Sequence, residues 1–97
     1  MGTLVTITLY AAQPGPAQAA AAAAFKRIEA LEDILSDYQA DSDLLALCDQ
    51  PFGTPVPVSA ELFDVLQRAQ DISRLSDGAF DVTIGPCVRL WRFARKR

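Results

Sequence analysis

The chain has 97 residues, which is enough for one small domain at most. Its composition, 51% hydrophobic and 22% charged, is that of an ordinary globular protein, and no apolar run reaches the ~18 residues that a membrane-spanning helix needs. Five of the nine basic residues lie in the last nine positions, among apolar side chains and without a zinc or stacking pattern. This arrangement predicts a solvated helix face and no nucleic-acid partner.

The first half of the chain predicts a strand followed by a long helix. Residues 3–10 alternate apolar and polar side chains and are rich in β-branched residues, as in a strand. Pro16 suits the first turn of a helix, which we expect over residues 17–36 from its alanine tract and its apolar stripe at three- and four-residue spacing.

Three further helices are expected after the long one. Ser42 and its acidic neighbours offer caps for a short helix through residues 44–47, and Ser59 caps a helix over residues 60–75. Gly78 suits the position just after a helix end, where φ is often positive, and Pro86 can begin a final helix.

The strand count sets the expected fold class. Only residues 3–10 form a convincing strand, with weaker candidates around Val56 and Val82. A strand whose backbone groups lack partners is not stable in water. We therefore expect an α+β fold in which helices pack against a strand of an incomplete antiparallel sheet, with residues 1–97 forming one partial domain.

Two segments could contact a ligand, and each also has a structural interpretation. Gly78 and Ala79 are small enough for a ligand to approach the backbone, and Asp81 could accept hydrogen bonds, but the segment also fits a helix stop with Phe80 in the core. Tyr38, at the end of the long helix, could stack on a planar cofactor or close the apolar stripe as a core residue.

Other polar and sulfur-containing residues carry weaker signals. Met1 could contact a flat ring or could be no more than an initiator methionine. Acidic side chains between residues 37 and 49 could bind a hard cation, but their positions at helix ends favour a solvated surface. Without histidine, Cys48 and Cys87 cannot form a recognisable zinc site, and the sequence leaves a disulfide between them open.

The order of three segments is more specific than any one of them. M-G-T-L-V-T-I from residue 1, S-D-Y-Q-A-D-S-D-L from residue 36 and G-A-F-D-V-T-I-G-P-C-V-R-L-W from residue 78 resemble the opening of the FAD:protein FMN transferases, the ApbE family. Val82, Cys87 and Arg92 stand where that family usually has proline, leucine and glycine. None of the three removes a group expected to contact FAD.

The resemblance implies the activity and the site. A member of this family moves the FMN half of FAD onto a threonine or serine hydroxyl of an acceptor flavoprotein subunit and releases AMP, with Mg²⁺ on the pyrophosphate. The implied FAD contacts are Met1, Tyr38, Ala79, Phe80 and Asp81. Catalytic groups and metal ligands are expected in later segments outside this chain, so no residue here is assigned to either role. On this interpretation the chain is the N-terminal third of a transferase, inactive alone.

Two alternative functions stay open. A Mg²⁺-dependent FAD pyrophosphatase on the same scaffold would use water in place of the acceptor hydroxyl, and a small helical interaction module would use the basic final helix as its contact surface.

For localisation, the resemblance implies the periplasmic face of a bacterial inner membrane. The first residues lack a basic and apolar export segment, so we expect either a start further upstream or a product that stays inside.

Overall fold

The computed structural model describes residues 4–95, whose regular structure is helical. The α-helices are α1 (Pro14–Leu35), α2 (Asp43–Cys48), α3 (Ala60–Leu75) and α4 (Gly85–Arg95), and a 3₁₀ turn (Val82–Ile84) precedes the last of them. All four predicted helices are therefore confirmed, with α3 matching at both ends. Among the described helices, none combines the length and the apolar character that a membrane span requires.

Helix starts follow the predicted capping residues closely. The Ser59 hydroxyl accepts a hydrogen bond of 3.3 Å from the backbone N–H of Leu62, which fixes the start of α3. Helix α1 begins at Pro14, three residues earlier than expected. Proline lacks an N–H that the first turn would leave unpaired anyway, so Pro14 and Pro16 are both tolerated there.

The predicted α+β fold with an antiparallel sheet is wrong for the part of the chain that the structure describes. Residues 4–12 form no regular structure, and residues 4–95 contain no strand. Val56 lies in an irregular loop and Val82 in the 3₁₀ turn. The physical reason is that a strand requires a second segment to pair its backbone groups, and alternation of side chains in one segment does not supply it.

The chain divides into two compact units, Met1–Leu62 and Phe63–Arg97. In the first unit, α1 contacts α2, and a salt bridge of 3.1 Å joins Arg27 of α1 to Glu61 in the first turn of α3. The pKa of Glu61 is lowered by a hydrogen bond from its own backbone N–H and then by Arg27. The second unit contains most of α3, the turn that follows it, and α4.

Few apolar side chains are buried. Among the described residues, Leu62 and Ala69 are the only buried hydrophobic ones, so only part of the predicted core stripe of α3 is confirmed. Val65 and Ile72 of the same stripe are exposed, and no residue of α1 is fully buried. The segments between the helices therefore depend largely on capping and turn hydrogen bonds, and two of those segments carry the candidate site residues.

Candidate functional site

The loop that carries Tyr38 begins with a serine that organises the end of α1. The backbone N–H of Ser36 donates to the Glu32 carbonyl at 2.9 Å, and the backbone then turns out of the helix. The Ser36 hydroxyl accepts bonds from the backbone N–H groups of Tyr38 and Gln39, both at 3.2 Å. One side chain thereby fixes the two residues that follow the helix.

Ser42 closes the same loop from its other end. Its side chain is completely buried and donates a 2.6 Å hydrogen bond to the Ser36 carbonyl. The hydroxyl also accepts from the Leu45 N–H at 3.3 Å and so caps α2, as predicted. Residues 36–42, called the serine loop below, are thus held by two buried serines whose hydroxyls both form hydrogen bonds.

Tyr38 is one of the residues that line a cleft beside the serine loop. The cleft has a volume of about 330 Å³ and is mainly apolar. Its lining consists of Ile28, Leu31, Glu32, Leu35, Ser36, Asp37 and Tyr38. Because 65% of its surface is exposed, Tyr38 is not the core residue that the structural interpretation expected. An aromatic ring beside an apolar cleft is a suitable contact for a planar ligand.

The end of α3 shapes the second candidate segment. Gly78 donates from its N–H to the Ser73 carbonyl at 2.9 Å, and Asp77 donates to the Arg74 carbonyl at 3.3 Å. These two bonds are the pattern of a Schellman motif, which turns the chain sharply away from a helix. The expected positive φ at Gly78 is confirmed at 79°, and Asp77 also has a positive φ, of 51°.

Replacing Gly78 by alanine tests this turn. A Cβ at Gly78 would meet no atom within 4 Å, so the expected cost of about 1 kcal/mol comes from the left-handed backbone alone. Asparagine tolerates that conformation better, and Gly78→Asn serves as the matched control with a smaller loss. Thermal melting followed by circular dichroism measures both variants. An alanine variant as stable as the wild type would contradict the expectation.

Ser76 holds the residues that follow the turn. Its hydroxyl accepts a 3.0 Å hydrogen bond from the Phe80 N–H and donates at 3.2 Å to the Ser73 carbonyl, while its own carbonyl accepts from Ala79 at 3.1 Å. Phe80 is 42% exposed and therefore does not fill a core position as the alternative interpretation expected. Ala79 and Phe80 lie on a fixed turn at the surface of the second unit.

Asp81 is fixed by the residue two positions further along the chain. Its Oδ1 accepts from the Thr83 N–H at 2.8 Å and from the Thr83 hydroxyl at 2.7 Å. The hydroxyl and then the N–H lower the pKa of Asp81 below its ordinary 3.8. Because the folded-state pKa is the lower one, the stability linked to Asp81 is present above pH 3.8 and is lost as the pH falls through the folded pKa. The carboxylate is thus ionised and oriented at neutral pH.

The structure brings the predicted residues together in two groups. Ala79, Phe80 and Asp81 are consecutive on one turn of the second unit, whereas Tyr38 belongs to the first unit. Met1 lies outside the described residues. The expectation that all five contact one ligand stays a prediction.

Sequence reasoning missed several residues that hold these segments in place. Ser36, Ser76 and Thr83 each bond to a candidate residue or to its backbone. The Asp-x-Thr spacing at residues 81–83 did carry a signal, because Asp side chains commonly accept from the backbone two positions on. The serines carried a weaker one, since their partners depend on the path of the loop.

Within the described residues, the acidic side chains form no metal site and the two cysteines form no disulfide. Within residues 4–95, no group of three or more His, Cys, Asp and Glu side chains is placed to hold a metal ion. Cys48 and Cys87 are both free and exposed. A second cleft, of about 390 Å³, lies in the first unit between α2 and the start of α3 and contains none of the predicted ligand contacts.

Comparison with known proteins identifies the class. The chain belongs to the ApbE family, whose family model matches residues 1–97. The three segments on which the resemblance was based, including the serine loop and the turn at residues 78–81, lie within that match. The predicted family membership is therefore confirmed.

Individual relatives carry one name. The chain is 34% identical over 98 residues to the FAD:protein FMN transferase of Treponema pallidum (strain Nichols), a match that covers 100% of this chain and 27% of the relative. It is 34% identical over 92 residues to that of Klebsiella pneumoniae (strain 342), covering 95% and 28%. With the transferase of Escherichia coli (strain K12) it shares 37% identity over 67 residues, covering 69% and 19%. No solved structure gives a significant match.

These relatives are much longer than the matched region. The chain spans between 19% and 28% of the three transferases named above. The activity in their names belongs to the whole of each relative, and its extension to the present chain is a proposal.

Proposed function

We propose that residues 1–97 form part of the FAD-binding portion of one flavin transferase domain. The whole protein would transfer FMN from FAD to a threonine or serine hydroxyl of an acceptor flavoprotein. In that reaction the hydroxyl oxygen bonds to the FMN phosphorus, the pyrophosphate bond to AMP breaks, and the hydroxyl proton leaves. Relatives named FAD:protein FMN transferase, at 34% to 37% identity, support this proposal.

The turn at Ala79–Asp81 is the observation that carries the proposal. A flavin nucleotide offers ring and amino N–H groups together with flat aromatic surfaces. The ionised Asp81 carboxylate can accept from such N–H groups, and charge-assisted hydrogen bonds are among the stronger ones. Ala79 leaves room beside the backbone, and the half-exposed Phe80 ring offers apolar contact. Each of the three groups thus matches part of the ligand.

Tyr38 gives independent support from the first unit. Its exposed ring and the apolar wall of the neighbouring cleft suit a flat heterocycle. The two buried serines keep the loop in one conformation before a ligand arrives, so little ordering would be required on binding. Met1 remains a proposed contact through the family resemblance alone.

The family resemblance implies that the whole protein uses Mg²⁺. We propose that the ligands of this ion belong to other parts of that protein. Residues 4–95 offer no set of ligands that fits a metal ion, so the described residues do not form a magnesium site by themselves. The proposal gives these residues a role in binding and orienting FAD. The expected action at the periplasmic face of the inner membrane likewise stays a prediction from the resemblance.

Amide signals in an NMR titration test the proposal. We expect FAD to shift the backbone signals of the serine loop and of residues 76–83 in the ¹⁵N-labelled 97-residue chain, because both segments carry proposed contacts. Asp81→Asn should weaken binding about tenfold through loss of a charge-assisted bond. Asp64→Asn, which removes an exposed carboxylate paired with Arg68 on α3, is the matched control and should bind like the wild type.

Two outcomes would count against FAD binding at the proposed contacts. The first is the absence of saturable shifts in the wild type. The second is a set of shifts confined to segments other than the serine loop and residues 76–83.

A further inference from the structure

Asp81 is held more firmly than an exposed aspartate usually is. Two donors of Thr83, the backbone N–H at 2.8 Å and the hydroxyl at 2.7 Å, both bond to Oδ1. Two bonds at a single oxygen restrict rotation about both side-chain torsions. An exposed carboxylate without such bonds samples several rotamers and loses that freedom when it binds a ligand.

The arrangement also determines which carboxylate oxygen a ligand can use. Because both Thr83 donors engage Oδ1, a ligand N–H can be accepted at Oδ2 without breaking either bond. Asp81 is also the N-cap of the 3₁₀ turn, so its backbone position is fixed relative to the start of α4. Thr83 therefore controls the direction in which the carboxylate points.

We propose that Thr83 is a positioning residue, whose hydroxyl orients the Asp81 carboxylate for its contact with FAD. This inference rests on the proposed function, since it assumes that Asp81 contacts the ligand. Thr83 itself need not touch FAD. Its hydroxyl is the part of the arrangement that a conservative substitution can remove, because the backbone N–H persists in every variant except proline.

The matched variants are Thr83→Val and Thr83→Ser. Valine keeps the branched shape and removes the hydroxyl, whereas serine keeps the hydroxyl and removes a methyl group. Without the hydroxyl, the pKa of Asp81 should rise toward its ordinary value, because that bond is the largest cause of its lowering. FAD affinity should fall about threefold to tenfold in the valine variant, and the serine variant should resemble the wild type in both measurements.

Two measurements on the 97-residue chain decide the matter. The pKa of Asp81 is followed by NMR of its carboxyl carbon without ligand, and FAD affinity is followed by the amide titration. A raised pKa together with weaker binding in Thr83→Val, both restored in Thr83→Ser, is the expected result. Equal FAD affinity in the valine variant would overturn the inference, and so would weaker binding with an unchanged Asp81 pKa.

Failure of the proposed function gives a different pattern. If the wild-type chain binds no FAD, the proposed function fails, and the role of Thr83 in FAD binding fails with it. In that case the pKa of Asp81 would still respond to Thr83→Val, because that measurement contains no ligand. The two failures are therefore distinguishable in one set of samples.

Discussion

Replacing Ser42 by alanine is expected to lower the free energy of unfolding by about 2 kcal/mol. The Ser42 hydroxyl is completely buried and makes two hydrogen bonds, one to the Ser36 carbonyl at 2.6 Å and one from the Leu45 N–H at 3.3 Å. Alanine removes the cap of α2. It also removes the hydroxyl that donates to the Ser36 carbonyl, and Ser36 is itself a buried residue. Denaturant titration followed by circular dichroism measures the loss.

Ser59→Ala is the matched control for this prediction. Ser59 also caps a helix, but its hydroxyl is half-buried and its cap bond is the 3.3 Å one from Leu62. We expect its removal to cost about 1 kcal/mol, a typical value for an N-cap. If Ser42→Ala were no more destabilising than Ser59→Ala, the buried bond to Ser36 would contribute nothing. The conclusion that Ser42 holds the serine loop in place would then have to be abandoned.

Helices were predictable because their signals are local. Ser59 accepts from an N–H only three positions on, and the Schellman motif at Gly78 uses carbonyls of the preceding turn. Such signals lie within a few residues of each other in the sequence. The start of α1 was misplaced because Pro14 and Pro16 are equally acceptable in a first turn, so the sequence does not distinguish them.

The strand predicted over residues 3–10 is not formed in the described part of that segment, because a strand depends on more than a local signal. Residues 4–10 have the alternation of a strand, and Val5 and Ile7 are indeed less exposed than Leu4 and Thr6. Side-chain alternation reports which face could be covered, whereas strand structure depends on backbone pairing with another segment. Pairing is a property of two segments, and the pattern of one segment does not determine it.

The sequence singles out the candidate contact residues, which stay predictions, but it does not single out the residues whose hydroxyls hold them in place. Tyr38 and Ala79–Asp81 stood out because the motifs that contain them are specific in order and spacing. The hydroxyls that hold them, those of Ser36, Ser76 and Thr83, act through bonds to loop backbone or to a neighbouring carboxylate. Serine and threonine form such bonds in many conformations, so their presence in a loop does not identify the partner.

The hydrogen bonds that hold the two candidate segments affect how these segments would bind FAD. Both candidate segments are fixed by side-chain hydrogen bonds before a ligand is present, even though few apolar side chains are buried around them. A loop fixed by hydrogen bonds can keep its contact residues exposed, which a loop fixed by burial cannot do as readily. This explains how Tyr38 and Phe80 can be held by hydrogen bonds at their backbone N–H groups and still be accessible.

Removing the Tyr38 ring is expected to weaken FAD binding by about fivefold or more. Stacking of a flat base on an aromatic side chain is worth about 1–3 kcal/mol by alanine substitution, which corresponds to roughly fivefold to 150-fold in affinity. The exposed Tyr38 ring borders a cleft whose walls are mainly apolar, so a heterocycle stacked on it would gain further contact with Leu31 and Leu35. Tyr38→Ala deletes the stacking surface, and FAD titration of the 97-residue chain measures the effect.

Two control variants separate stacking on Tyr38 from hydrogen bonding by its hydroxyl and from loss of an exposed tyrosine in general. Tyr38→Phe keeps the ring and removes the hydroxyl, so it should bind FAD nearly as well as the wild type if stacking dominates. Tyr10→Ala removes a tyrosine that is 96% exposed and does not border the cleft, so it should leave affinity unchanged. Because Tyr38 is mostly exposed, its alanine variant should melt within a few degrees of the wild type. Unchanged FAD affinity in that folded variant would remove Tyr38 from the site.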